Sequence, residues 1–307
     1  MKNVLLIYYT QSGQLEEIAN NVLQNIENQS NVSLYRYEIK PKPSYPFPWT
    51  PHTFYDVFPE TFLQIPITIE PPDQELLEIN FDLIILAYQV WYLTPSLPVT
   101  SFLKTQFAFE ILKDKPVITV IGCRNMWIQA QEKMKRLLAK NKARLVGNIV
   151  LVDRHINHIS VITIEKWMMR GKKERYLGVF PKPGVSQQDI DSAVKFGKPI
   201  VNSLLSEEYN VLQEQLLAKK AVVVKPFLIT MDARANVIFN KWANYIHKKC
   251  ANNPKKRKKY IGLFSFYLKF AIWVMAPIVF IVFLLTYLPN KNNIKLNIKY
   301  YKSIKLR

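Results

Sequence analysis

Glycine is scarce in this chain, 8 residues in 307, and neither GxGxxG nor GxxxxGK[ST] occurs, so the two commonest nucleotide-binding loops are absent. Cysteine occurs only as Cys123 and Cys250, too few for a disulfide-stapled scaffold or a four-cysteine zinc site. Four histidines do not suggest a histidine-rich centre, and no metal is expected. Acids nearly vanish from the C-terminal part: residues 219–307 hold 19 Lys/Arg and one acid, Asp232, whereas residues 1–218 hold 23 Lys/Arg and 22 Asp/Glu. The net charge of +19 therefore belongs to the tail, and the body is close to neutral.

A basic tail suits nucleic acid or anionic lipid. Phe270–Leu288 is free of charge for 19 residues, about 28 Å of helix, close to the hydrocarbon thickness of a bilayer. It is bracketed by Lys255, Lys256, Arg257, Lys258 and Lys259 before it and by Lys291 through Arg307 after it. Such brackets favour an anionic membrane over nucleic acid, so no nucleic-acid partner is expected. The N-terminus MKNVLLIYYT is too short in its apolar run for a signal peptide. The expected location is the cytoplasmic face of the inner membrane, anchored C-terminally. A single span would send the basic tail outside, against the positive-inside tendency, while Pro277 suits a re-entrant hairpin; both remain open.

The body reads as alternating strands and helices. Asn3–Tyr9, Phe81–Ala87, Pro116–Ile121 and Gly147–Val152 are continuous apolar runs, as expected of strands covered on both faces, and Val32–Ile39 alternates loosely as another strand. Helices are expected at Leu15–Ile26, Pro98–Lys104, Trp127–Leu138 and Gln187–Leu205. The fold class is α/β, a doubly wound five-stranded parallel sheet with helices on both faces plus a C-terminal helical membrane anchor. The expected divisions are a domain over 1–205, an amphipathic basic helical linker over 206–260, a membrane segment over 261–288 and a basic tail over 289–307. Within the domain, Pro41–Pro72 holds nine prolines and seven aromatic residues, a density that excludes regular structure over most of its length. It reads either as a surface connection or as an apolar lid.

In open parallel sheets ligands bind beyond the carboxyl ends of the strands. Three loops leave such ends. Thr10, Gln11, Ser12, Gly13, Gln14 and Leu15 form a hydroxyl-bearing turn into a helix, suited to a phosphate monoester held by N–H and O–H donors. The loop YQVWYLTPSLP supplies Gln89, Val90, Trp91, Tyr92 and Thr94, with flat rings able to stack on a planar ligand. The loop GCRNMW supplies Gly122, Arg124 and Asn125; Cys123 reads as a small buried thiol. His155 and His158 are candidate bases, since imidazole titrates near neutrality, and Tyr92 is a further catalytic candidate.

Together these loops resemble the flavodoxin-like family, whose first loop follows [TS]-x-[TS]-G-x-[TS] and binds the phosphate of flavin mononucleotide (FMN). Thr10-Gln11-Ser12-Gly13-Gln14-Leu15 matches all but the last hydroxyl. The family's strand-three loop, P-V-W-W-x-x-P-x-x-P, is approached by Val90-Trp91-Tyr92, Thr94-Pro95 and Pro98. More narrowly, VLLIYYTQSGQL, the aromatic-proline insert and GCRNMW are similar to bacterial proteins of the dialkylresorcinol condensing enzyme family. That resemblance implies an FMN-dependent oxidoreductase that aromatises a dialkyl-cyclohexane-1,3-dione to a dialkylresorcinol in aryl-polyene and flexirubin-type pigment biosynthesis. It further implies a lipophilic small-molecule substrate and a ketosynthase-like partner enzyme. A membrane-associated quinone reductase or dehydrogenase, a one-electron carrier and a flavin-free scaffold for a ketosynthase are the alternatives, and the oligomeric state is open, a homodimer included.

Overall fold

The computed structural model describes residues 1–250 and 253–307. Five parallel strands form the main sheet: β1 (Lys2–Tyr8), β2 (Val32–Glu38), β3 (Leu83–Trp91), β4 (Pro116–Cys123) and β5 (Arg144–Val152). Their order is β2-β1-β3-β4-β5, the flavodoxin-like doubly wound arrangement. The chain moves one way from β1 to β2 and the other way from β3 to β5. Right-handed crossovers then place the intervening helices on opposite faces. The reversal leaves a crevice between the carboxyl ends of β1 and β3.

The apolar runs of the sequence explain the sheet. Val4–Ile7, Leu83–Ala87 and Val117–Ile121 lie buried in the middle of it. Helix α1 (Gln14–Glu27) buries Leu15, Ile18, Ala19, Val22, Leu23 and Ile26, the periodic face read from the sequence. The helix expected over Gln187–Leu205 is three pieces: Gln187–Asp191, a 3-10 turn at Ser192–Phe196, and a helix at Gly197–Ser206. Pro199 has no N–H to donate and fits best in a first turn, so the chain restarts there. Gly197 also lets this piece approach α1 closely: a Cβ there would lie 2.6 Å from Asn25 Nδ2 and 3.0 Å from the Val22 carbonyl.

The proline-rich insert contains more helix than its composition suggests. Pro51–Asp56 and Phe58–Leu63 are two short helices, each with proline in its first turn. Thr50 and Thr53 close a capping box on the first. The insert is held by a second aromatic core, separate from that of the sheet, formed with the helices Pro226–Cys250 and Pro254–Phe270. Phe58 stacks on Phe264 with ring centroids 3.7 Å apart and planes 7° from parallel. Phe62, Phe239 and Leu93 also belong to that core, with Ile246 and Ile261 behind them.

Within 206–260, read from the sequence as an amphipathic basic helical linker, residues 206–250 lie on the body. The helix Leu212–Ala218 covers the outer strand β5: Gln213 Oε1 accepts from the Asn148 N–H at 2.7 Å, and Ala221 accepts from the Val150 N–H at 2.8 Å. This protects an edge that would otherwise offer unpaired backbone groups. Further helices, labelled in chain order, are α2 Leu97–Phe102, α3 Ile128–Lys140, α4 Asn157–Arg170, α5 Gly197–Ser206, α6 Leu212–Ala218, α7 Pro226–Cys250, α8 Pro254–Phe270 and α9 Ala276–Lys302. Because Phe58 is fully buried between the insert and two C-terminal helices, Phe58→Ala is expected to cost about 3–5 kcal/mol. Urea denaturation of the full chain measures this; a loss below about 1 kcal/mol would show that the second core is dispensable.

Candidate functional site

The turn after β1 is open and leaves polar groups unmet. Gly13 is the residue before α1 and has φ +80°, a left-handed conformation that favours glycine. A Cβ built on it meets nothing within 4 Å, so space lies in front of the turn. No side chain caps the helix, although a helix start normally has free N–H groups to satisfy. The Thr10 hydroxyl oxygen is buried with no hydrogen-bond partner among the described residues. Ser12 is half-buried beside it. Gln11 and Gln14 have other duties. Gln11 accepts from the Tyr9 hydroxyl and donates through Nε2 to the Pro46 carbonyl at 2.8 Å, tying the insert to the turn. Gln14 exchanges two hydrogen bonds with the Val185 backbone, donating at 3.1 Å and accepting at 3.0 Å. Leu15 is buried in the core, where its Cδ1 would meet a Cβ on Gly122 at 3.1 Å. The helix start is not uniformly electropositive: Glu16 and Glu17 lie in its first turn, with Glu16 accepting from the Tyr8 hydroxyl at 3.0 Å.

The β3 loop reaches the same place. Gln89 donates to the Tyr9 carbonyl at 3.3 Å and accepts from Trp91 Nε1 at 3.4 Å. Val90 and Trp91 pair back with Thr94–Pro95, and Tyr92 and Leu93 turn the hairpin with φ 49° and 59°. Trp91 meets Tyr9, Tyr45 and Trp49 edge to face at 5.3–5.8 Å between centroids. Tyr45 and Trp49 are themselves stacked at 5.5 Å. The insert thus closes over the loop as a lid of aromatic rings.

Tyr92 requires a correction as a catalytic candidate. Its side chain is packed among Phe54, Phe58, Phe239 and Phe264, and its hydroxyl donates to the Phe54 carbonyl at 2.5 Å. Burial drives its pKa well above the ordinary phenol value. It is a structural pin of the second core. His158 is also diverted: its Nε2 donates to the Ile272 carbonyl at 3.2 Å, and its ring packs on Trp273 at 4.9 Å. His155 is exposed and lines a cavity of about 410 Å³ with Val185, Ser186, Lys173, Arg175 and Lys182. That cavity adjoins the start of α1 through the Gln14–Val185 pair.

In the β4 loop, Gly122 pairs with Gln89 of β3 and Leu151 of β5. Arg124 Nη1 and Asn125 Nδ2 both donate to Asn157 Oδ1 at 2.9 Å, which fastens the loop to α4. Burial pushes the Arg124 pKa down to about 10, with Asp153 opposing the shift. Asn125 Oδ1 is likewise buried without a partner among the described residues. Burial, reinforced by Asp232, drives the Cys123 thiol well above its ordinary pKa, so it is a poor nucleophile.

Two residues escaped the reading of the sequence. Asp232, on α7, accepts from the Ile128 N–H at 2.8 Å and caps α3 from a distance of 104 residues in the chain. Burial lifts its pKa to about 7 against that hydrogen bond and one from Gln129. Lys133 donates to Thr94 Oγ1 at 2.6 Å and sits 3.8 Å above the Phe62 ring. Burial lowers its pKa to about 7, opposed by Asp232. The available signal was that Asp232 is the one acid in a long basic stretch.

The chain matches no family model and no curated protein. Solved structures similar to it include a flavoprotein in complex with FMN from Lactobacillus acidophilus NCFM, 15% identical, with TM-score 0.38 over 49% of this chain and 93% of that one. Oxidised flavodoxin 1 from Bacillus cereus is also 15% identical, with TM-score 0.36 over 66% of this chain and 98% of that one. The fold assignment rests on the strand order itself.

Asp232 and Lys133 together generate a pH signature. The folded chain keeps the Asp232 proton to about pH 7, whereas the unfolded aspartate loses it near 3.8. Folding therefore takes up a proton in that window, and stability falls as pH rises through it, by at most about 1.4 kcal/mol per unit. Above pH 7, folded Lys133 is neutral while the unfolded lysine stays charged to about 10.5, so stability recovers with pH. In urea titrations across this range, Asp232→Asn should flatten the lower limb relative to the parent, and an unchanged slope would remove Asp232 as its source.

Proposed function

We propose that this chain binds FMN at the crevice between β1 and β3 and uses it as an oxidoreductase. The observation that carries the reading is the buried Thr10 hydroxyl, without a partner, beside an uncapped helix start and an open left-handed Gly13. Unmet donors and acceptors of this kind are costly unless a ligand completes them. The residues suit a phosphate monoester: Thr10 and Ser12 would donate hydroxyl hydrogen bonds and the first N–H groups of α1 would point at the anion. Trp91 and Asn125 would flank the ring, with Tyr45 and Trp49 excluding water. When bound, the flavin supplies a two-electron acceptor for hydride.

The reaction we propose is aromatisation of a dialkyl-cyclohexane-1,3-dione to a dialkylresorcinol, for aryl-polyene or flexirubin-type pigments. Two features support it: the resemblance of TQSGQL and GCRNMW, and an apolar C-terminal helix suited to a lipid-borne substrate. One ring carbon loses hydride and its neighbour loses a proton; a C=C bond forms, and enolisation completes the aromatic ring. His155 is the proposed proton acceptor, since His158 is committed to Ile272. A ketosynthase-like enzyme is the partner that would supply the dione, at the cytoplasmic face of the inner membrane.

The test is to purify the full chain in detergent, record its flavin absorbance, reconstitute with FMN and offer the dione without oxygen. Stoichiometric bleaching with resorcinol formed is the expected result. A colourless protein that FMN does not reconstitute would overturn the flavin reading. Turnover of quinones with NAD(P)H but not of the dione would overturn the substrate alone. Two variants test the cradle. Ser12→Tyr should lose FMN by filling the turn. Thr10→Val should weaken FMN by roughly tenfold while stabilising the ligand-free protein by about 1 kcal/mol, because it deletes a buried hydroxyl with no protein partner. Equal FMN affinity in both variants and the parent would mean that the phosphate lies elsewhere.

A further inference from the structure

The membrane placement proposed above can be made specific. Pro254–Lys302 is one run of helix, α8 and α9 joined through a π turn at Ala271–Met275. Its most apolar window has mean hydropathy 2.5, yet only 6% of that window is buried against the protein, so it is not a core helix. One face turns inward, burying Ile261, Phe264, Ala276 and Phe283. Opposite it, Phe266, Phe270, Val274, Ile278, Ile281 and Leu285 follow one another at steps of three or four residues, all exposed. Trp273, Met275, Phe280, Val282 and Leu284 widen this apolar surface on either side.

Both ends of this helix are fastened to the same body. At the start, Arg257 donates to Asp56 Oδ1 at 2.7 Å and to both Glu60 carboxylate oxygens at 2.8–2.9 Å, and Phe264 stacks on Phe58. At the end, the Tyr300 hydroxyl donates to Glu132 Oε2 at 2.6 Å, and Gln213 Nε2 donates to the Lys302 carbonyl at 2.9 Å. Ile298 and Tyr301 pack on the core of the sheet. Midway, the Ile272 carbonyl in the π turn takes the His158 hydrogen bond, and Phe227 packs on Phe280 and Phe283.

We propose that α8–α9 sinks its exposed apolar face into one leaflet of an anionic bilayer and does not cross it. A crossing would carry Tyr300 and Lys302 about 30 Å from the body and break both contacts. The basic residues fit the same geometry: exposed Lys255, Lys256, Lys258 and Lys259 stand at one end and Lys291, Lys295 and Lys299 at the other. Phospholipid headgroups of negative charge meet both clusters when both ends stay on one side. A second copy of the chain would bring like charges together, which disfavours a dimer through this face.

Two measurements on the full chain test this, and neither depends on flavin. The first is sedimentation with phosphatidylcholine liposomes, with and without phosphatidylglycerol. Partition should be roughly tenfold or more stronger with the anionic lipid. The triple variant Phe270→Gln, Ile278→Gln, Leu285→Gln should stay folded by circular dichroism and stay in the supernatant. Failure of the parent to bind, or a dimer lost in the triple variant without liposome binding, would overturn the proposal and the membrane reading with it; equal binding to neutral lipid would overturn the anionic surface while leaving membrane attachment standing. The second is labelling of Ser206→Cys and Lys305→Cys by an impermeant maleimide in inner-membrane vesicles of known orientation, with the parent as blank. Both positions should label from the same side. Labelling from opposite sides would overturn the one-leaflet geometry while leaving membrane attachment standing.

Discussion

A helix that starts on a left-handed glycine with no side chain to cap it leaves donors facing outward. In this chain that start lies at the point where the strand order reverses, and a buried threonine hydroxyl without a partner stands beside it. The absence of lysine from the turn matters as much. A loop without a cation holds an anion by geometry, through dipoles and hydrogen bonds, and so suits one terminal phosphate rather than a polyphosphate. Placement of the rings, the insert and the C-terminal helices has meaning only relative to that turn.

The insert and the C-terminal helices are mechanically one unit. Phe58 and Phe62 of the insert, Leu93 of the β3 hairpin, Phe239 of α7 and Phe264 of α8 share a single aromatic core. Tyr45 and Trp49, a few residues earlier in the same insert, press on Trp91. The segment proposed to face lipid is therefore connected by packed side chains to the segment that lids the crevice. Asp232 adds a second connection, since an acid on α7 caps the helix that follows the β4 loop.

Much of this was legible in the residues. Runs such as VLLI and LIILA announce strands covered on both faces, and the turn TQSGQ announces where they lead. Boundaries failed where a proline or glycine acts by position: Pro199 restarts a helix, and Pro51 and Pro59 begin helices in a stretch whose proline content argued against them. The site was less legible for a different reason. Tyr92 and His158 sit at sequence positions suited to chemistry, yet each hydrogen-bonds to a carbonyl far away in the chain, Phe54 and Ile272. Periodicity carries no information about such long-range partners. Lys133 and Asp232 were hidden likewise, since a surface-type residue on an amphipathic helix becomes buried only when another element lands on it.

The most direct measurement compares FMN with riboflavin for binding to the ligand-free full chain by fluorescence titration. The two differ only in the phosphate. If the turn after β1 grips that group, FMN should bind at least roughly a hundredfold more tightly, the scale of two charge-assisted hydrogen bonds. Equal affinities, or no binding of either flavin, would contradict the assignment of the turn and the redox chemistry built on it.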